Sequence, residues 1–204
     1  MSGSTEKRQL ESAFYEAVRR MLGRGSEPAE QLAKPAEPPR PTRGIAFSGP
    51  LVRAMLEGRK NQTRRPVSLR VTDPHPAGCP IAKPGEWLTV REPWRDTGNG
   101  YEYAADDLSR RGFKPGRYMP RDAARLLLHV TAVEVQRAHN ITNDDARMEG
   151  APTDLLVEPR AWFANIWGNF YDGPMAWAAN PWLWVIRFDV AHKDGVPVIA
   201  TGTP

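Results

Sequence analysis

The segment LEGRKNQTRRPV, residues 56–67, places the side chains of an activated nucleophile in one short stretch. Lys60 and Thr63 are three residues apart, and the cations Arg59, Arg64 and Arg65 surround them. A threonine hydroxyl becomes a nucleophile when a base takes its proton, and a lysine can be that base when neighbouring cations or burial lower its pKa. A carboxyl group would complete the site by moving a proton to the leaving group. By spacing alone, a solvated basic turn is the simpler interpretation.

Other catalytic and metal-binding patterns are weak in this sequence. His75 and Cys79 are four residues apart, but a structural zinc site needs four ligands, usually in two close pairs. The sequence contains no phosphate-binding glycine loop, no dinucleotide fingerprint and no signature of Ser/His/Asp catalysis. We therefore predict neither a metal nor another cofactor.

Charge and composition restrict the class of protein. A formal net charge of +4 and a pI near 9.4 permit a nucleic-acid partner without requiring one. A single cysteine excludes an internal disulfide and is typical of a reducing compartment. No apolar run reaches membrane-spanning length, and the first residues lack the apolar core of a signal peptide. These features predict a cytoplasmic protein without a membrane partner.

Proline and charge divide the sequence into three parts. Residues 4–22 have the apolar spacing of an amphipathic helix, and the proline-rich stretch that follows is typical of an extended linker. We predict a flexible N-terminal arm over residues 1–43, a folded domain over residues 44–191 and a flexible tail over residues 192–204. The helix of the arm could dock onto a protein partner, although a marginal helix on a mobile tail is the simpler interpretation.

The folded part alternates short strand and helix patterns. The clearest strand, ARLLLHVTAVEVQ, changes its apolar face between Val130 and Val133, which indicates a β-bulge or a strand covered on both sides. Ser48 and Thr142 are candidate helix N-caps, and Asp145 follows Thr142 at capping-box spacing. PRAWFANIWGNFY predicts a helix and NPWLWVIRFDV a strand, each with one buried aromatic face. Together these elements predict an α+β fold, a small mixed barrel with short flanking helices.

Several motifs resemble the ASCH-domain family and, within it, the phage and prophage-related branch. They are FSGPLVRAMLEGRKNQTRRPV, CPIAKPGEWLTVREPW, YMPRDAARLLLHVTAVEVQRAHNITNDDARMEG and NPWLWVIRFDV, and the resemblance covers residues 44–190. It implies a PUA-like β-barrel with a cleft and a role in RNA binding. Two positions depart from that branch: Asn61 replaces a usual threonine, and Asp122 stands where an aromatic residue is expected.

The best-understood small bacterial members of the ASCH family are amidohydrolases that remove the acetyl group from N4-acetylcytidine. By resemblance, the matching functional residues are Lys60 and Thr63 in GRKNQT and Glu149 in DDARMEG. Lys60 would deprotonate Thr63, Thr63 would attack the acetyl carbonyl, and Glu149 would assist proton transfer to the leaving amine. An exposed residue near a helix end is the alternative interpretation of Glu149. This chain is larger than those small amidohydrolases and has a long loop over residues 71–84. The resemblance therefore does not identify the substrate.

The sequence thus predicts a basic cleft that binds RNA, a nucleoside or a nucleotide. Candidate contacts beyond the trio are Arg59, Arg64, Arg65 and Arg91 for phosphates or base edges, and Trp94 for base stacking. Hydrolysis of an acylated nucleobase is the alternative function. A third alternative is a phage–host interaction protein without catalysis, in which the N-terminal helix binds the partner.

Overall fold

One mixed sheet and the helices packed on it carry the residues of interest. The computed structural model describes residues 41, 43–109, 111–192 and 198, all within the unit Glu37–Pro204. The predicted N-terminal helix, nearly all of its linker and nearly all of the predicted tail lie outside the described residues. The domain boundaries and the proposed docking role of the arm therefore stay predictions.

Seven strands and three α-helices form the described part of the chain. In chain order they are β1 (Arg43–Ala46), α1 (Gly49–Leu56), β2 (Gln62–Pro66), β3 (Trp87–Arg91), β4 (Trp94–Asp96), β5 (Tyr101–Tyr103), β6 (Leu126–Arg137), α2 (Asn143–Met148), α3 (Pro159–Gly168) and β7 (Trp182–His192). None of the helices in this part is long and apolar enough to cross a bilayer.

Five strands pair in the order β1-β3-β6-β7-β2, and β4 pairs with β5 separately. Strands β1 and β3 are parallel, and the other pairs are antiparallel. This arrangement confirms the α+β class. The closed barrel is not confirmed, because β1 and β2 are the sheet edges and no strand pairing joins them within residues 43–109 and 111–192. A side chain does bridge the edges: Arg65 Nη2 of β2 donates to the Ala46 carbonyl of β1 at 3.1 Å.

A register shift explains how β6 buries residues from both of its sequence faces. The pairing of β6 with β7 shifts between Val130 and Ala132. Thr131, at the shift, is exposed, whereas Val130 and Val133 belong to the same core cluster. An extra residue in one strand reverses the alternation beyond it. The sequence left open a β-bulge or a strand covered on both sides, and the register shift supports the bulge.

The alternation of β7 is also confirmed. Its core face consists of large apolar side chains in or against that cluster, namely Trp182, Trp184, Ile186 and Phe188. The opposite face contributes Leu183 to a second cluster, together with Phe163 and Trp167 of α3. Strand β7 is therefore covered on both faces, and its second face holds α3 in place.

The ends of α1 and α2 follow, in part, the signals that the sequence indicates. Thr142 and Asp145 form the predicted capping box, in which Thr142 Oγ1 accepts from Asp145 N at 3.0 Å and Asp145 Oδ2 accepts from Thr142 N at 3.1 Å. Ser48 occupies the N-cap position of α1, but its side chain makes no capping hydrogen bond. Gly58 follows α1 with φ +71°, a conformation that favours glycine and ends the helix.

Candidate functional site

The backbone places Lys60 beside Glu149. Lys60 forms an isolated antiparallel bridge with Glu149, the C-cap of α2. Asn61 N donates to Met148 O at 3.1 Å, and Asn61 O accepts from Phe188 N at 2.9 Å. The segment after α1 is thus held between α2 and β7. The interpretation as a solvated basic turn is wrong, because Lys60 is only 1 % exposed.

The Lys60 side chain has three acceptors within hydrogen-bond distance. Its Nζ donates to Gln62 O at 2.7 Å, Glu149 O at 2.8 Å and Glu149 Oε2 at 3.1 Å. Burial lowers the pKa of Lys60 below its ordinary value, the Glu149 carboxylate opposes this shift, and the charges of Arg65 and Arg64 add to it. A proton on Lys60 is therefore easier to remove than one on a solvated lysine.

Glu149 joins two buried cations. Its Oε2 lies 3.1 Å from Lys60 Nζ, and its Oε1 accepts from Arg64 Nη1 at 3.0 Å. Arg64 Nη2 also reaches Asp145 Oδ2 at 3.3 Å and Gln136 Oε1 at 3.1 Å. Burial would raise the pKa of Asp145, but hydrogen bonds to its carboxylate and the Arg64 charge hold that pKa below its ordinary value. The interpretation of Glu149 as an exposed helix residue is wrong.

Thr63 contacts an arginine rather than the lysine. Its Oγ1 accepts from Arg65 Nη1 at 2.6 Å. The Arg65 guanidinium also lies 5.0 Å from the centroid of the Phe47 ring. Within the described part of the chain, no hydrogen bond joins Thr63 to Lys60 or to Glu149. A cationic donor on Oγ1 stabilises negative charge there, so Arg65 favours the deprotonated hydroxyl.

One cavity of about 440 Å³ contains these groups. Its polar cluster consists of Lys60, Thr63, Arg64, Arg65 and Glu149. Its aromatic wall comes from α3 and the residues after it, and consists of Trp162, Phe163, Trp167, Phe170 and Tyr171, with Ile166 among them. The rest of the lining includes Phe47, Ser48, Leu51 and residues 115–117. The structure therefore brings the three predicted catalytic residues into one cavity.

The predicted arginine contacts divide into two groups. Arg64 and Arg65 line the cavity, and Arg59 does not. Arg59 Nε donates to Glu57 Oε2 at 2.9 Å, and its Nη1 donates to two carbonyls that follow α2 at 3.1 and 3.0 Å. These bonds tie the end of α1 to the end of α2. The contacts of Arg59 therefore serve the fold around the site.

The structure does not bring Arg91 or Trp94 to this cavity. Arg91 packs against Gly44, where a Cβ would lie 2.5 Å from Arg91 Nε. Trp94 is 7 % exposed and meets Tyr101 edge-on at a centroid distance of 5.7 Å. Lys114 Nζ lies 5.2 Å from the Trp94 ring centroid. A ring this buried offers little open face to a base.

Two features of the cavity were absent from the sequence-based prediction. The first is the aromatic wall, because Phe163, Trp167 and Phe170 at helical spacing are typical of a core face. Phe170 is in fact 64 % exposed. The sequence does contain a signal for the wall, because five aromatic residues within residues 162–171 are more than one buried helix face can hold. The second is Arg117, which belongs to a turn between recognisable strands.

Gly150 determines the backbone that presents Glu149. Its φ is +99°, and a Cβ there would lie 3.0 Å from Ala54 Cβ and 3.3 Å from Lys60 Cβ. We expect Gly150→Ala to lower the free energy of unfolding by about 1–3 kcal/mol, measured by urea denaturation. Gly112→Ala is the matched control, since its φ is +87° but its Cβ would meet nothing within 4 Å. An equal loss in both variants would contradict close packing of Gly150 against Lys60.

The His75 and Cys79 pair has structural partners. His75 Nδ1 accepts from Ala77 N at 3.3 Å, and Cys79 is buried in the main core cluster. No three His, Cys, Asp or Glu side chains are grouped to hold a metal ion in the ranges 43–109 and 111–192.

Comparison with known proteins leaves the family open. No protein-family model matches the chain. No curated protein matches it. Among solved structures, the chain is similar to the crystal structure of protein EF3133 from Enterococcus faecalis V583, described as DUF984. The two share 14 % sequence identity over 74 % of this chain and 81 % of that chain, with a TM-score of 0.40. At this overlap the likeness carries no argument about fold or function.

Proposed function

We propose that this protein binds a nucleoside or nucleotide in the cavity beside Lys60 and Glu149, with the base against the aromatic wall. The observation that carries the proposal is that an aromatic wall and a buried polar cluster line the same cavity of about 440 Å³. This volume lies in the range of roughly 300–1,000 Å³ that small-molecule sites occupy.

The aromatic wall suits the flat face of a base. Trp167 and Tyr171 have ring centroids 4.2 Å apart, and Phe163 and Trp167 have centroids 6.0 Å apart. Trp162 is half-buried and Phe170 is exposed, so part of the wall is open to a ligand. Stacking of one base on such a surface contributes about 1–3 kcal/mol.

The polar groups of the cavity suit the edge of a base and its sugar. Arg65 supplies donors, and the Glu149 carboxylate supplies acceptors. The Ser48 hydroxyl also lines the cavity and makes no hydrogen bond within the described part of the chain. A base with both amino and carbonyl groups, such as cytosine, has the complementary pattern. If the ligand is RNA, one unstacked nucleotide would occupy the cavity.

The resemblance to the ASCH family supports the same proposal. We infer that the five-stranded sheet is the core of a PUA-like barrel, as that resemblance implies. The hydrogen bond from Arg65 to Ala46 supports this inference, because it links the two edge strands across the position where a barrel would close.

Filling the cavity tests the proposal. Ile166 is half-buried on the cavity side of α3, whereas its neighbour Asn165 is exposed and lies outside the lining. We expect Ile166→Trp to weaken nucleoside binding at least tenfold, which is about 1.4 kcal/mol, because the added ring occupies the ligand volume. The measurement is a calorimetric titration with the four common ribonucleosides.

Asn165→Trp is the matched control and should bind like the native protein. It adds the same side chain to the same helix, away from the cavity. Equal binding by Ile166→Trp and Asn165→Trp would place the ligand elsewhere. Absence of binding to any nucleoside or nucleotide by the native protein would eliminate the proposed function.

Hydrolysis of an acylated nucleobase is the second candidate, favoured by the contact between Thr63 Oγ1 and Arg65 Nη1 at 2.6 Å. Attack of Thr63 Oγ1 on the acyl carbonyl forms a C–O bond, and collapse of the adduct breaks the C–N bond while the leaving amine takes a proton. Water then cleaves the threonyl ester, releases the acid and restores the hydroxyl. Arg65 would stabilise the developing alkoxide.

The proton transfers of this reaction would involve Lys60 and Glu149. In the described geometry Lys60 Nζ donates to three acceptors and none of them is Thr63. To act as the base, Lys60 would first pass a proton to Glu149 Oε2, 3.1 Å away, and then turn toward Thr63. Glu149 would afterwards supply that proton to the leaving amine. Binding requires no such rearrangement and therefore remains the first proposal.

A further inference from the structure

Among the described residues, four cationic side chains line the cavity, and three of them are already engaged by the protein. Lys60 and Arg64 are each within hydrogen-bond distance of the Glu149 carboxylate. Arg65 donates to Thr63 Oγ1 and to the carbonyl groups of residues 64 and 46. These three cations therefore have limited capacity to neutralise further negative charge from a ligand.

Arg117 is the fourth lining cation and differs from the others. It is exposed, and within the described part of the chain its guanidinium makes no hydrogen bond or ion pair. Its close contact is with the ring of Tyr118, whose centroid lies 4.8 Å away. Tyr118 is itself 63 % exposed. The donors of Arg117 are consequently free to meet an anion on the solvent side of the cavity.

The backbone under Arg117 is fixed although the side chain is exposed. Gly116 lies against the end of β3, where a Cβ would be 2.8 Å from Arg91 O, so this close approach requires glycine. Tyr118 N donates to the carbonyl of residue 115 at 3.0 Å, and Met119 is buried at 5 % exposure. A guanidinium on a fixed turn loses less conformational freedom on binding than one on a mobile loop.

We propose that Arg117 is the phosphate-recognition residue of this cavity, so that the preferred ligand is a phosphorylated nucleoside rather than a free one. The proposal rests on the proposed function, because it takes a base in the cavity as given. Arginine presents a planar fork of donors that matches two phosphate oxygens, and such charge-assisted pairs are strong. The phosphate can belong to a mononucleotide or to a nucleotide within an RNA strand.

The test is a calorimetric comparison of ligands on the full chain. The ligands are the tightest-binding ribonucleoside, its 3′- and 5′-monophosphates, and a trinucleotide with that base at its centre. We expect one of the monophosphates to bind about tenfold more tightly than the nucleoside. In Arg117→Gln the monophosphate should bind no more tightly than the nucleoside. Arg70→Gln is the matched control, since Arg70 is exposed and outside the cavity lining, and it should retain the gain.

The outcomes separate this proposal from the proposed function. Nucleoside binding with no gain from either phosphate, or a gain that Arg117→Gln retains, would overturn the role of Arg117 alone. If the native protein binds none of these ligands, the proposed nucleoside site itself is wrong. With the gain confirmed, a trinucleotide that binds at least as well as the monophosphate assigns the phosphate to an RNA strand. A weaker trinucleotide assigns it to a free nucleotide.

Discussion

Glu149→Gln is expected to lower the free energy of unfolding by about 3–5 kcal/mol, because it leaves two buried cations without their shared carboxylate. The amide keeps the shape of the side chain, so the loss reports charge and not volume. Lys60 Nζ and Arg64 Nη1 lie 3.1 and 3.0 Å from the two Glu149 oxygens, and both cations are at most 2 % exposed. Urea denaturation measures the effect.

The matched control for this variant is Asp144→Asn. Asp144 is a carboxylate of α2, but its side chain is 86 % exposed and pairs with Arg147 one turn away. Its loss should cost less than about 1 kcal/mol. A cost for Glu149→Gln as small as that of the control would show that the carboxylate does not stabilise the buried cations.

A double variant isolates the Lys60 part of this effect. Lys60→Met combined with Glu149→Gln removes both members of the pair, so no lysine charge is left unpaired. The two changes together should cost about 0.5–3 kcal/mol less than the sum of the single changes. The contacts of Arg64 with Asp145 and Gln136 in the native protein involve neither of the substituted residues.

Thr63→Ala is expected to reduce any hydrolysis of N4-acetylcytidine on the order of 10³-fold or more, because it removes the proposed nucleophile. Nucleoside binding should change little, since the aromatic wall is intact. Chromatographic detection of cytidine measures the reaction. Thr131→Ala is the matched control, because Thr131 is exposed at the β6 bulge.

The result separates the two candidate functions. If the native protein hydrolyses N4-acetylcytidine and Thr63→Ala does so at a similar rate, Thr63 is not the nucleophile. If the native protein binds nucleosides but hydrolyses none, only the binding function remains. The hydroxyl of Thr63 would then have a structural role, as a hydrogen-bond acceptor for Arg65.

Patterns of residues close together in the sequence were sufficient to predict several elements of the fold. The capping box of Thr142 and Asp145 depends on residues three apart, and the bulge at Thr131 follows from a change of apolar face within one strand. The meeting of Lys60 with Glu149, by contrast, joins residues 89 positions apart. Spacing cannot predict such a contact, and it came from the family resemblance.

The environment of single side chains was the least predictable part. An apolar pattern indicates which face of α3 is turned inward, but it does not tell whether that face meets another element or a cavity. Phe170 is in the pattern and is nevertheless 64 % exposed. Arg59 and Trp94 were predicted as ligand contacts from their residue types alone. In the structure Arg59 hydrogen-bonds to the backbone after α2 and Trp94 is part of a core cluster, whereas Arg117 lines the cavity.

A crystal structure of the full chain with its tightest-binding nucleoside would show whether the cavity beside Lys60 and Glu149 is the binding site. We expect the base within van der Waals distance of the aromatic wall, with its polar edge toward Arg65 and Glu149. A nucleoside bound at a different surface, or a cavity closed by its own side chains while binding persists in solution, would contradict it.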